Sequence, residues 1–215
     1  MADRVPGVTG RNPLAGGNVA RAPGESPSAG FTDLGPNGTD PVPMIDRTIA
    51  KVEDDWHPPA PNTSPTLVLR GKTLAEVGRE LDTQDEWGRG GGSLRADPIP
   101  AGNSTNLTVK LHGNLQLRLP TWSNYSSASA AAQAEWDRMI GKLRAHEQRH
   151  MDIAIQHGDQ LAQDLVGNDI GVIAKMVTDR NKQMAADQKQ LDDDTDHGAK
   201  AGVPYGDVSL DTTIV

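Results

Sequence analysis

His146-Glu147-Gln148-Arg149-His150 sets two imidazoles four residues apart, with a carboxylate next to the first. On an α-helix, positions i and i+4 share a face, so both rings can reach one metal ion. Zinc suits such a pair. It lowers the pKa of a bound water to about 7, and Glu147 lies close enough to take that proton as a general base. The chain contains no cysteine. Thiolate sites and disulfides are therefore excluded, and any metal must be held by His, Asp or Glu. The plain alternative is a helix carrying two solvated histidines. Placement at 100° per residue argues against it, because Trp136, Leu143, His146, Glu147, His150, Ala154 and Leu161 fall on one face that is apolar at both ends. Two imidazoles and a carboxylate are costly on a buried stripe unless they share a partner, and a metal ion is such a partner.

Catalytic zinc normally keeps three protein ligands and one open position. The metzincin continuation would need Gly at position 153 and His at 156, and the chain has Ile153 and Gln156. His157 is on the correct face but lies about 10 Å further along a continuous helix, too far for the same ion. It is expected in the core or in support of the site. His197 is the better third ligand. The helix travels about 24 Å from His150 to Val166, and an antiparallel return of about 33 Å carries the loop after Leu191 back over the metal. Asp192 or Asp194 is placed to orient a ligand, as carboxylates beside ligating histidines commonly do. Asp196 flanks His197, and Asp193 reads as a solvated acidic residue.

The elements that would position these residues can be read from periodicity. Residues 1–65 are dense in Gly, Pro, Ser, Asn and Asp and show no sustained period, which predicts a disordered leader. Residues 66–215 are expected to form the metal-binding domain. A short strand is expected over 66–70. Thr73 then caps a helix, with Glu76 completing a capping box and Leu74, Val77 and Leu81 on one face. Gly88 to Gly92 reads as a flexible loop. Alternation from Leu107 to Leu119 predicts a single bent strand, with Gly113 as a bulge or, alternatively, a turn. Helices are expected over 127–166 and 169–191, parted by Gly167.

The formal charge of −8 and the lack of a dense Lys/Arg stripe argue against nucleic-acid binding. The first residues lack the apolar segment of a secretory signal, and no stretch is long and apolar enough to span a bilayer. The expectation is a soluble protein, cytoplasmic or exported by a route that reads no such signal, with the leader available to delivery machinery.

Four local features together resemble the bacterial family of predicted secreted zinc-dependent proteases, long carried as a domain of unknown function. They are the strand-turn-helix around Gly71 and Thr73, Leu119-Pro-Thr-Trp122, the helix bearing Trp136 and the histidine motif, and Asp192-Asp-Asp-Thr-Asp-His-Gly198. The resemblance spans about residues 66–202. It implies zinc on His146, His150 and His197, with Glu147 as base. The last family motif opens with Tyr-Asp, whereas Leu191 stands in the Tyr place here. Any oxyanion role of that Tyr is vacant or falls to Tyr205 or His157. The combined expectation is an α+β fold in which a small sheet and a short helix precede two long antiparallel helices. Its function would be that of a zinc metallopeptidase acting on a protein or peptide. The alternatives are an amidase acting on a cell-wall amide and a structural or cargo protein that keeps the metal.

Overall fold

The computed structural model describes residues 47–56, 63–65, 67–99 and 106–215. In chain order the strands and α-helices are β1 (Thr48–Asp54), β2 (Val68–Leu69), α1 (Leu74–Leu81), β3 (Arg89–Gly91), β4 (Leu94–Ile99), β5 (Asn106–Gly113), β6 (Gln116–Arg118), β7 (Thr121–Trp122), α2 (Ala130–Leu165) and α3 (Ile173–Thr195). The arrangement is α+β, as the periodicities predict.

α2 is the axis of the fold. Ser129 starts it by accepting from the Ala132 amide at 3.2 Å, and three alanines follow, the strongest helix formers. Beyond Leu165 the chain leaves the helix. Gly167 turns it with φ 85°, a conformation that favours glycine. Its amide donates to the Ile49 carbonyl at 2.8 Å. After a 3₁₀ turn at Ile170–Val172, α3 runs back antiparallel. The polar rungs between the helices record that direction, since they climb α2 while descending α3: His150 with Asp192 at 3.0 Å, His157 with Asp187 at 2.8 Å, and Gln160 with Arg180 at 2.7 Å.

Two apolar clusters form along α2. Leu69, Leu74, Val77, Leu81, Trp122, Trp136, Met139 and Leu143 gather α1 and the parallel pair β2–β7 onto its first half. Ile49, Trp56, Val109, Leu111, Met151, Leu161 and Leu165 gather the β1–β5–β4 sheet onto its second half. His146, Glu147 and His150 occupy the seam between Leu143 and Met151. The buried face deduced from the helical period is the observed one, because all seven residues placed on it are buried.

Three expectations are corrected. The ordered chain begins before residue 66: β1 pairs in parallel with β5, and Trp56 is buried on α2. Ile49 and Val52 are three apart because a register shift between Ile49 and Lys51 interrupts the alternation, so no period of two is visible. The rest of the expected leader, residues 1–46 and 57–62, and Thr66 at the expected strand start lie outside the described residues. The Gly88 to Gly92 run is not a free loop, for it contains β3, paired antiparallel with β6. Finally, Leu107 to Leu119 is not one bent strand. The Leu115 amide donates to the Gly113 carbonyl at 2.8 Å, and this turn separates β5 from β6, which belong to different sheets. Among the described residues no helix is long and apolar enough to cross a membrane.

Candidate metal centre

α2 presents His146 and His150 one turn apart, with their rings 4.9 Å between centroids and nearly perpendicular. Their Nε2 atoms are 3.2 Å apart. From the last turn of α3, Asp192 Oδ1 lies 3.0 Å from His150 Nε2 and 3.4 Å from His146 Nε2. Bonds of about 2.0–2.1 Å at tetrahedral angles put the ligand atoms of zinc about 3.3 Å apart. The three separations fit that figure. The donor set, two imidazoles and a carboxylate, is also one that zinc accepts.

His146 Nδ1 donates to the Tyr205 carbonyl at 3.2 Å, which leaves Nε2 facing the cluster. This is the usual way a ligating histidine is aimed. Without a cation, two ring nitrogens at 3.2 Å need a proton between them or beside them. The charges answer accordingly. Burial opposes protonation of His146, but the Asp192 carboxylate, Glu147 and the Tyr205 carbonyl outweigh it and raise its pKa above the ordinary 6.5. Burial also opposes the Asp192 anion, yet hydrogen bonds with His146 and His150 hold its carboxyl far below the usual range. His150 Nδ1 is buried and has no partner.

Glu147 is buried beside the pair, and burial raises its pKa against the pull of both histidines. The nearby Gly90 amide of β3 pulls it the other way, easing the carboxylate's charge. The approach is close. A Cβ on Gly90 would lie 1.9 Å from the Glu147 carbonyl oxygen, and one on Gly88 would lie 2.7 Å from Glu147 Oε1. Only glycines let β3 lie flat on the helix here.

Two of the residues expected in this region exchange parts. Asp192, expected to orient a ligand, stands with its oxygen among the ring nitrogens, and the His146–His150–Asp192 triad is the metal-sized cluster among the described residues. His197, expected as the third ligand, sits at the rim. Its Nδ1 is 3.8 Å from Asp192 Oδ1 and its side chain is 80% exposed. His157 stays out of the cluster and pairs with Asp187. Asp194 accepts from Gln190, and Asp196 ends α3 in the left-handed conformation at φ 51°. Tyr205 contributes its backbone carbonyl, and its ring lies 5.9 Å from the Arg149 guanidinium. The backing of Glu147 by β3 has no periodic signature in the sequence. The run of glycines was the available signal.

Residues 68–198, more than half of the chain, match the model of a family described as bacterial protein of unknown function, DUF922. The chain belongs to this family. The matched span of DUF922 runs from β2 to Gly198 and so contains the histidine motif, Asp192 and His197, whereas Tyr205 lies beyond it. No curated protein and no solved structure matches the chain.

Proposed function

We propose that this member of DUF922 is a zinc-dependent hydrolase of the metallopeptidase kind, with zinc held by His146, His150 and Asp192. The observation that carries the reading is the convergence of two imidazole nitrogens and one carboxylate oxygen, 3.0–3.4 Å apart in a buried seam, with Glu147 alongside. When bound, zinc supplies a Lewis acid that polarises a carbonyl and acidifies water. The chain's own residues do the rest. Glu147, buried and raised in pKa, accepts a proton from water at its carboxylate and hands it to the leaving amine. Gly88 and Gly90 pack closely against Glu147. Tyr205, through its carbonyl, keeps the His146 ring aimed. The resemblance to zinc-dependent proteases favours a protein or peptide substrate over a cell-wall amide.

The test is metal analysis combined with turnover. The protein should carry one zinc per chain and cleave members of a peptide library. Glu147→Gln should keep the zinc and lose cleavage by at least about 100-fold, the scale of a general base. Cleavage of peptidoglycan-derived amides alone would move the substrate class. A Glu147→Gln protein that keeps full activity would overturn the mechanism. Zinc without any turnover would make the metal structural.

A further inference from the structure

The segment after α3 returns to α2 as a strap, and it is tied down far from the metal. Glu135 on α2 is buried at 8% exposure and accepts from Arg138 Nε and Nη2, both at 2.7 Å. The same carboxylate accepts from the Asp211 amide at 2.8 Å. Arg138 Nη2 also donates to the Ser209 carbonyl at 2.6 Å. One ion pair on the helix thus grips the strap on both sides of Leu210. Next to the grip, the Asp207 carboxylate accepts from the Gly202 amide at 3.0 Å and faces Lys142 Nζ at 3.4 Å. The Val208 amide donates to the Gly198 carbonyl at 2.8 Å, and the Asp207 amide to the Lys200 carbonyl at 3.1 Å. These bonds close a loop in which Tyr205 and Asp207 both take positive φ, 61° and 64°. The Tyr205 carbonyl in that loop is what His146 Nδ1 contacts. A non-glycine residue holds such a conformation only where the surroundings over-determine it.

We propose that the strap is a positioning device for the metal centre, with Glu135, Arg138 and Asp207 as positioning residues that act on His146 through the Tyr205 carbonyl. The proposal rests on the zinc reading for its consequence, although the hydrogen bond it concerns exists without metal. Glu135 and Arg138 lie on α2 ahead of the histidine motif and have their own bonds to the strap. They reach the site through a chain of contacts, not through one of their own. Releasing the grip frees the His146 ring to rotate, and a ring that must be re-aimed binds metal more weakly.

The experiment uses the full chain with Arg138→Ala and Asp207→Gly. The glycine variant removes a carboxylate from an exposed loop and relaxes its positive φ, so it tests the strap even where Arg138→Ala leaves Glu135 unpaired and the protein unfolded. Two quantities are measured: zinc affinity, by competition with a chelator, and the solvent exchange of the His146 Nδ1 proton, by NMR of the metal-free protein. In both variants zinc affinity should fall about 10- to 100-fold, the usual cost of losing a group that orients a ligand. The Nδ1 proton should exchange quickly, while helical circular dichroism stays unchanged. A purely structural strap would lower the melting temperature and leave the Nδ1 proton protected. An unchanged proton and unchanged affinity in Asp207→Gly overturn the proposal. If the wild-type protein takes up no zinc, the metal reading fails, and the Nδ1 proton alone still decides the role of the strap.

Discussion

His146 and Asp192 set the behaviour of the centre with pH, and their shifts have opposite signs. In the metal-free protein the His146 pKa is raised. Its contribution to stability is therefore complete below 6.5 and fades as pH rises through the folded value. Asp192 is depressed, so its contribution is present above 3.8 and fades as pH falls through its folded value. The metal-free triad therefore stabilises the fold most between those limits. Zinc bound there would require neutral imidazoles and displace the His146 proton, which would reverse the trend above the window. The zinc-induced rise in melting temperature should grow from about pH 5 to about pH 8, as calorimetry can follow; a constant shift would mean that no proton is displaced. The exchange of parts between Asp192 and His197 is also testable. Loss of a ligand weakens zinc binding by orders of magnitude, whereas loss of a supporting group typically costs about 10- to 100-fold. Zinc titration should therefore find Asp192→Asn far weaker than His197→Ala. The reverse order would restore His197 as the third ligand.

At the scale of elements, two contacts decide whether the site exists. β3 lies against α2 through Gly90, and a methyl group there meets the Glu147 backbone. Gly90→Ala should cost about 1–3 kcal/mol through overpacking. It should also lower turnover more than that loss explains, because β3 leaves the Glu147 carboxylate. Denaturation and kinetics on the same sample read both effects. β1 is the second contact. Its last residues lead to Trp56, whose Nε1 donates to Asp159 at 2.9 Å and whose ring packs on Gly158. A chain beginning at Thr66 loses Ile49 and Trp56 from the core around Met151 and Leu161. Burial of one such Trp is worth about 3–5 kcal/mol. The melting temperature should fall by roughly 6–20 °C. An unchanged value would show that β1 contributes nothing to the fold.

Over the whole molecule, the helices and the histidine motif could be read from sequence because a period of 3.6 over more than thirty residues is hard to imitate. The buried stripe of α2 and the antiparallel return of α3 came from that period and from helix rise alone. The strands were less legible where side chains carry no period. β3 is Arg-Gly-Gly, and the register shift of β1 spaces its apolar residues by three. The sequence places His197 rather than Asp192 beside the two histidines for a related reason. The apolar period of α3 ends at Leu191, but the helix continues to Thr195, which puts Asp192 on a rigid turn facing His150 and His197 beyond it. Two cores meet along α2, and we propose that the seam between them holds zinc on two histidines and one aspartate. X-ray absorption at the zinc edge, on protein loaded with one equivalent, tests it most directly. The spectrum should show two imidazole nitrogens and one carboxylate oxygen at about 2.0–2.2 Å around a single bound ion. Three imidazoles, or zinc that remains hydrated and unbound, would contradict it.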